Sequence, residues 1–288
     1  MTQFKTRTGN FPIGFRRGGW KWQPDIAAAI DWAKSNGFGV IDVARDPSDV
    51  AAVQSAGLRV GSADLLEWQP LLSPDKGKRA ESAARNAEYI KQCGAQNYFA
   101  VMLPEDASKP RAENFGYMVE SLNALSPHFE AAGGRLVIEG WPGPGALCCT
   151  PETYRAAFRE CPSQTIGINY DPSHLLRMHI DPIRFLKEFV GRVGHVHGKD
   201  AEILVDEVYE YGVEQPAAFK KSVPFGSTAW RYTIPGHGGS NWLEICRLLS
   251  AAGYKGAISI ELEDADYHET PEAQQEGIVT GAKFLSLC

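Results

Sequence analysis

The sequence predicts an α/β fold, a (β/α)8 TIM barrel. Eight short apolar runs alternate with amphipathic helical stretches, and 288 residues suit one barrel, a fold that commonly exceeds 250 residues as one unit. The runs are apolar on both faces, as strands of a covered parallel sheet are. We therefore expect one domain over residues 1–288. The predicted strands are Pro12–Phe15, Gly39–Val43, Leu58–Ser62, Tyr98–Leu103, Leu136–Glu139, Ile166–Asp171, Val193–Gly198 and Ala257–Leu262.

Helical periodicity is clearest in three stretches that lie between these strands: Pro24–Asn36, Arg111–Ala132 and Asn241–Ala252. An open, doubly wound sheet is the rival arrangement. That fold usually has a glycine-rich phosphate loop after its first strand, and the segment Phe15–Trp20 lacks the required glycine spacing. The barrel is therefore favoured, and we expect no nucleotide cofactor.

One connection is about twice as long as the others, between the strands that end near His197 and Glu261. The surplus, residues 200–239, is polar and aromatic and predicts an insertion after strand seven. In a barrel this insertion leaves the carboxyl end of the strand, which is the catalytic face. A lid, a contact in a homo-oligomer and a solvated excursion all remain open as interpretations.

Composition and charge disfavour several classes of partner. The net charge is −6 and no lysine- or arginine-rich run occurs, which disfavours binding to nucleic acid or to an anionic membrane surface. No run has the length of a membrane-spanning helix, and Met1–Phe11 has no apolar signal core. Six cysteines occur without a C-x-x-C pair, so we expect reduced thiols in a cytoplasmic protein.

Four predicted strands end in residues that bind metals: Glu139, Asp171, His197 and Glu261. On a barrel these strands are neighbours and their ends face one opening. Two unit charges about 4 Å apart at an effective dielectric near 20 repel by about 4 kcal/mol, so three carboxylates there need a cation. Three oxygen ligands and one imidazole favour a divalent metal, Mn²⁺ before Mg²⁺ or Co²⁺, over zinc.

Other side chains near these strand ends are candidate substrate contacts. His174 follows Asp171 by three residues, and the first turn after the strand would return its ring to the pocket. Lys199 lies past the strand end, where a partner role and a surface role are equally compatible with the pattern. His195 would lie deeper, as a hydrogen-bonded core residue. The remaining candidates are aromatic or basic residues that could line a sugar pocket: Trp20, Arg16, Trp230 and Arg231.

Several strings of residues resemble a known family. They are Val-Ile-Glu-Gly, Tyr-Asp-Pro-Ser-His, Gly-His-Val-His-Gly-Lys-Asp, Pro-Gly-His-Gly-Gly-Ser-Asn-Trp and Gly-Tyr-Lys-Gly-Ala-Ile-Ser-Ile-Glu. Together they resemble the xylose isomerase-like TIM barrel superfamily, within it the sugar phosphate isomerase/epimerase group of ketose 3-epimerases and inosose dehydratases. One departure is Gly236-His237-Gly238, where many relatives have Gly-Glu-Gly.

The resemblance implies roles for the same residues. Glu139, Asp171, His197 and Glu261 would bind the metal, His174 would approach the substrate, and the two glutamates would also transfer protons. The expected function is isomerisation or epimerisation of a keto sugar, a small-molecule carbohydrate, by proton abstraction alpha to a carbonyl and a metal-stabilised enediolate.

Three other functions share parts of this pattern. A lyase or dehydratase acting on a keto-cyclitol or a 3-keto-glycoside would use the same site for elimination. A phosphodiesterase of the apurinic-site endonuclease type shares the fold, but it needs a larger set of metal ligands and a basic surface. A non-catalytic sugar-binding barrel is disfavoured by the complete set of four ligands.

Overall fold

The structure is a computed structural model that describes residues 3–288. Residues 1 and 2, the start of the predicted polar stretch Met1–Phe11, lie outside the described residues. Within residues 3–288, no helix is both long enough and apolar enough to cross a membrane.

Eight parallel strands form a closed barrel, in the order β1-β10-β7-β6-β5-β4-β3-β2, and two further strands pair separately. The predicted TIM barrel is therefore confirmed. The barrel strands are β1 Ile13–Arg16, β2 Val40–Val43, β3 Arg59–Asp64, β4 Asn97–Val101, β5 Arg135–Glu139, β6 Ile166–Tyr170, β7 Val193–Gly198 and β10 Ile258–Ile260; the separate pair is β8 Asp200–Ile203 and β9 Trp230–Thr233.

Helices connect the barrel strands, as the alternating pattern predicts. They are α1 Ile26–Ser35, α2 Pro47–Ser55, α3 Lys76–Cys93, α4 Arg111–Ala132, α5 Pro151–Glu160, α6 Pro172–Arg177, α7 Pro182–Phe189, α8 Val205–Tyr211, α9 Trp242–Ala251 and α10 Pro271–Leu285, with 3₁₀ turns at Pro70–Leu72 and Val190–Arg192. The helix predicted at Arg111–Ala132 has those bounds, and the two others differ by one or two residues at each end.

Proline and capping chemistry explain where two predicted strands end early. The strand predicted to Leu103 ends at Val101, shortly before Pro104, which has no N–H to donate to a sheet. The strand predicted to Asp171 ends at Tyr170 because Asp171 caps α6 and Pro172 takes the first helical position. Asp171 is therefore held by a helix start as well as by the strand before it.

The chain divides into two compact units, the first of which contains the chain up to Ile41, Asp171–Val190 and Val196–Cys288. Its barrel strands pair in parallel, with His197 opposite Ser259 and Phe15 opposite Ile260. Aromatic rings fill the space behind β1: Phe15 packs edge-on against Trp32 with ring centroids 5.2 Å apart. This packing fixes the strands whose ends carry most of the candidate site.

The second unit contains Asp42–Tyr170 and Gly191–His195. Strands β4, β5 and β6 pair in parallel here, and Glu139 lies opposite Asn169. The hydroxyl of Tyr154 donates to the carbonyl of Ile138 over 3.0 Å, which ties helix α5 to the end of β5. Glu139 thus lies at the end of a strand that is held on both sides.

The predicted insertion is present and is partly ordered as secondary structure. Strands β8 and β9 pair antiparallel, with Asp200 opposite Thr233 and Ile203 opposite Trp230, and α8 lies between them. A solvated excursion does not describe its strands, because Tyr232 and Thr233 are buried. The insertion contributes side chains to the interior of the first unit.

Candidate active site

Asp171 presents one carboxylate oxygen to its own helix and the other to the site. Oδ1 accepts hydrogen bonds from the backbone N–H of Ser173 at 2.9 Å and from its hydroxyl at 2.6 Å. Oδ2 is buried and receives no well-formed hydrogen bond from the described residues, although Lys199 Nζ lies 3.3 Å away. A buried carboxylate oxygen in this state is suited to bind a cation.

His197 and Glu261 lie close together because β7 and β10 are neighbouring strands, and Asp171 lies beside both. The backbone N–H of Glu261 donates to the carbonyl of Gly198, so the chain stays in register just past β10. His197 Nδ1 lies 3.3 Å from Glu261 Oε2. Ligand atoms of Asp171, His197 and Glu261 all lie within 4.8 Å of one another, which is close enough for one ion.

Lys199 supplies a positive charge within this cluster. Its Nζ donates to Glu261 Oε2 over 2.6 Å and to Glu263 Oε2 over 2.9 Å, and lies 3.3 Å from Asp171 Oδ2. The side chain is 1% exposed, so a surface position for Lys199 is wrong. Lys199 therefore supplies part of the positive charge that the clustered carboxylates require.

The surroundings of Glu261 determine its ionisation. Burial alone would raise its pKa, but the charges of Lys199, His197 and Arg16 together hold the pKa of this carboxyl well below its ordinary value. Arg16 Nε lies 3.3 Å from Oε1. Glu261 is therefore an ionised carboxylate at neutral pH, the form that a metal ligand or a general base needs.

Glu139, in the second unit, ends β5 and is buried. Its Oε2 accepts a hydrogen bond from the side-chain amide of Asn169 over 2.7 Å, which fixes the orientation of the carboxylate. Asn169 precedes Asp171 by two residues along the chain.

His174 is held by a tyrosine and an arginine that the sequence analysis did not select. Its Nδ1 lies 2.6 Å from the hydroxyl of Tyr232, and Arg177 Nη1 donates to that same hydroxyl oxygen over 2.6 Å. Arg177 also stacks over the ring of Trp230, with its Cζ 4.4 Å from the ring centroid. Tyr232 of the insertion thus holds His174, which lies in helix α6.

These contacts are compatible with a His174 ring that accepts a hydrogen bond at Nδ1. Arginine can only donate, so the Tyr232 oxygen accepts from Arg177 and the hydroxyl hydrogen is available to His174 Nδ1. A histidine ring that accepts at Nδ1 carries its hydrogen on Nε2. Nε2 lies 3.4 Å from Asp171 Oδ2, so the imidazole N–H is directed to the carboxylate side of the site.

Of the other predicted substrate contacts, one lies beside His174 and the others lie elsewhere. Trp230 shares a strand face with Tyr232 and stacks on Arg177, whereas Arg231 points away and pairs with Glu202 at 2.7 Å and Asp266 at 2.8 Å. Trp20 is half-buried in the loop after β1. Strand alternation from Trp230 was the signal that could have selected Tyr232.

The predicted core role of His195 fits its surroundings in the second unit. His195 is fully buried, and its Nε2 lies 2.7 Å from Asp42 Oδ2. Asp42 in turn accepts the backbone N–H of Ser62 through Oδ1. His237, the departure from the family string, is exposed and lies on the turn before α9.

The glycine turn at residues 236–239 binds a carboxylate of its own chain. Asp200 Oδ1 accepts the backbone N–H of Ser240 at 2.9 Å, and Oδ2 accepts from Gly236 at 3.5 Å and from Trp242 Nε1 at 3.2 Å. A turn of this kind can bind a phosphate. Here the donors are engaged by Asp200, so the turn offers no support for a phosphorylated substrate.

The model of the family described as xylose isomerase-like TIM barrel matches residues 30–287. The chain belongs to this family. The match spans the insertion and both units, so the resemblance inferred from the motifs is confirmed.

Curated relatives match a shorter stretch. The uncharacterized protein YfiH of Bacillus subtilis (strain 168) is 35% identical over 159 residues, 54% of this chain and 47% of that protein. An inosose dehydratase of Geobacillus thermodenitrificans (strain NG80-2) is 28% identical over 151 residues, 52% and 48% of the two chains. The chain spans about half the length of the curated relatives it matches.

Solved structures of similar fold include enzymes and a metal-bound protein. The 3-keto-D-glucoside 4-epimerase YcjR from E. coli, in its apo form, has a TM-score of 0.67 at 14% identity and covers 95% of this chain and 99% of its own. The IolI protein with a bound zinc atom has a TM-score of 0.67 at 17% identity, covering 95% and 96%. At these identities the likeness concerns the fold.

Proposed function

We propose that the chain is a divalent-metal-dependent isomerase or epimerase of a small keto sugar. The observation that carries this proposal is the position of Glu261: an ionised carboxylate within ligand distance of Asp171 and His197, at a strand end of a xylose isomerase-like barrel. The epimerase and dehydratase names among its structural and sequence relatives support an enzyme that moves a proton beside a carbonyl.

The donor set fits a divalent ion. Asp171 Oδ2 is buried without a well-formed hydrogen bond among the described residues, and His197 and Glu261 add an imidazole and a second carboxylate. Glu139, which ends β5 in the second unit, is the proposed fourth ligand because its Val-Ile-Glu-Gly string matches the family's pattern. Oxygen-rich sets of this kind favour Mn²⁺ or Mg²⁺, with Co²⁺ as an alternative.

Each side chain then has a role in the reaction. A bound divalent ion supplies Lewis acidity at the substrate carbonyl. Glu261 removes the proton alpha to that carbonyl, and Glu139 returns it to the opposite face or to the adjacent carbon. His174 donates its Nε2 hydrogen to a substrate oxygen. Contacts with substrate by Trp230, Trp20, Arg231 and Lys199 stay predictions.

Replacement of Glu261 tests the proposal. Glu261→Gln keeps the shape of the side chain but removes the base, so we expect turnover of a keto sugar to fall by about 10²–10⁴-fold. The measurement is Mn²⁺-dependent exchange of the alpha hydrogen with deuterated water, followed by NMR over a panel of keto sugars. Glu214→Gln, an exposed loop residue, is the matched control. Near-normal exchange in a Mn²⁺-loaded Glu261→Gln protein would exclude this role.

A lyase is the second candidate, and the inosose dehydratase relatives support it. The same carboxylates would remove the alpha proton, after which a beta substituent leaves as water or as an aglycone. The product distinguishes the two reactions: an epimer or isomer of equal mass supports the isomerase. A conjugated-enone absorbance or a released aglycone supports the lyase.

A further inference from the structure

We propose that Lys199 is an internal counter-ion that takes the place of the metal in the metal-free protein and moves toward Glu263 when the metal binds. The inference rests on the metal site of the proposed function and goes beyond it, to how that site is loaded. It is argued from the positions of four charged groups in the first unit.

The Lys199 ammonium is bound to the same oxygens that would hold the metal. Its Nζ contacts Glu261 Oε2 at 2.6 Å and Asp171 Oδ2 at 3.3 Å, which places it between two of the proposed ligands. An ion bound to both oxygens would lie against the ammonium. Two cations cannot share that position without strong repulsion, so metal and Lys199 compete for it.

Glu263 provides an ion-pair partner for the displaced Lys199 ammonium. It accepts from Lys199 Nζ at 2.9 Å, and its side chain is 35% exposed, whereas Asp171 is fully buried. A small rotation of the flexible lysine end would keep this ion pair while releasing Glu261 and Asp171. The ring of Tyr232, 4.6 Å from Nζ, is a second surface that stabilises the cation during this shift.

Charge also indicates what Lys199 contributes to this cluster. Asp171, Glu261 and Glu263 each have a carboxylate oxygen within 3.3 Å of Lys199 Nζ, whereas Arg16 pairs with Glu261. Without Lys199 and before a metal binds, the buried carboxylates of Asp171 and Glu261 would have less positive charge beside them. Lys199 therefore stabilises the metal-free fold at the expense of metal affinity.

Metal affinity of the full-length protein tests the inference without relying on turnover. After removal of metals by a chelator, Mn²⁺ titration by calorimetry should show that Lys199→Met binds at least tenfold more tightly than the natural protein. Glu263→Gln should bind at least threefold more weakly, since the ammonium then loses the one carboxylate partner that is not a proposed metal ligand. Lys283→Met, an exposed charge on α10, controls for the change in net charge and should leave affinity unchanged.

A double variant, Lys199→Met with Glu263→Gln, distinguishes an effect of Glu263 through Lys199 from a direct effect of its charge on the metal. If Glu263 acts through Lys199, Glu263→Gln should have no effect on Mn²⁺ affinity in the Lys199→Met background. Melting without metal should occur at a lower temperature for Lys199→Met than for the natural protein, with the difference lost at saturating Mn²⁺.

Equal or weaker Mn²⁺ binding by Lys199→Met would overturn the inference, as would a full Glu263→Gln effect in the double variant. Absence of Mn²⁺ binding in every variant would overturn it too. Failure of the proposed function is distinguishable: the expected affinity changes without turnover of any keto sugar would remove the function and leave the counter-ion role in place.

Discussion

Tyr232 acts on the candidate site through one hydroxyl group. That hydroxyl accepts from Arg177 and contacts His174 Nδ1, both at 2.6 Å, and it is buried among aromatic and cationic neighbours. Burial raises the pKa of Tyr232 despite the nearby charges of Lys199 and Arg177. The hydroxyl therefore stays protonated across physiological pH and can keep donating to His174.

Removal of this hydroxyl should affect both catalysis and folding. In Tyr232→Phe the ring packing is kept but His174 loses the contact that sets its tautomer, so we expect kcat/KM to fall by about tenfold and the free energy of unfolding by about 1–2 kcal/mol. Kinetics together with ¹⁵N NMR of the His174 ring would measure both effects. Tyr209→Phe, at a 90% exposed tyrosine, is the control. An unchanged His174 tautomer would contradict the assignment.

Individual site residues were predicted best where a residue type that binds metals lies at the end of a predicted strand. Asp171, His197 and Glu261 were selected because a metal ligand at a strand end is uncommon in a core, and the structure brings their ligand atoms together. Glu263, two residues past Glu261, was not selected from the sequence, yet it binds Lys199. Such contacts depend on the bending of the chain past a strand end, where simple alternation no longer applies.

At the scale of elements, the turn before α9 shows how the insertion is closed. Asp200, at the start of β8, binds the backbone of residues 236–240, and Gly239 N–H donates to the carbonyl of Ala201 at 2.9 Å. Gly238 lies against this junction: a Cβ there would come within 2.4 Å of Asp200 Oδ1. Only a residue without a side chain fits at that position.

Two neighbouring glycines give a matched test of this closure. Gly238→Ala should lower the free energy of unfolding by about 1–3 kcal/mol because the new methyl group collides with Asp200 and with the carbonyl of Ala201. In Gly239→Ala the nearest atom is 3.8 Å away, so its stability should be close to that of the natural protein. Denaturant unfolding measures both. Equal losses in the two variants would contradict a steric role for Gly238.

Helix boundaries were predicted well where a capping residue marks the first turn. The strands inside the insertion were not predicted. Asn241 accepts from the backbone N–H of Glu244, as their spacing predicts, and α9 begins at the next residue. The β8–β9 pair was not predicted, because Asp200–Ile203 follows β7 after one residue and reads as its continuation. Antiparallel pairing with a segment nearly thirty residues away leaves little local signal.

At the scale of the whole molecule, metal binding should be coupled to unfolding. A ligand that binds only the folded chain stabilises it by about 2.7 kcal/mol at a concentration one hundred times its Kd. For a chain of this length that corresponds to a rise in Tm of several degrees. Thermal scans with Mn²⁺ and with a chelator should show this rise, and His197→Gln should reduce it. An equal rise in His197→Gln would place the stabilising metal elsewhere.

The barrel itself was predictable because its signal repeats eight times. Each apolar run is short, but alternation with amphipathic helices over the chain constrains the sheet to a parallel form, and the closed strand order agrees with it. The extent of the domain, residues 1–288, stays a prediction. Substrate identity depends on side chains from loops, which carry no periodic pattern.

The single carboxylate of Asp200 has a consequence for the way such a protein can diversify. By fastening residues 236–240 to the start of β8, it keeps the two ends of the insertion together whatever lies between them. Lengthening a chain segment whose ends are already joined costs little conformational entropy. Replacement of the stretch between Leu204 and Ala229 is therefore expected to leave the strands that hold the proposed ligands in place.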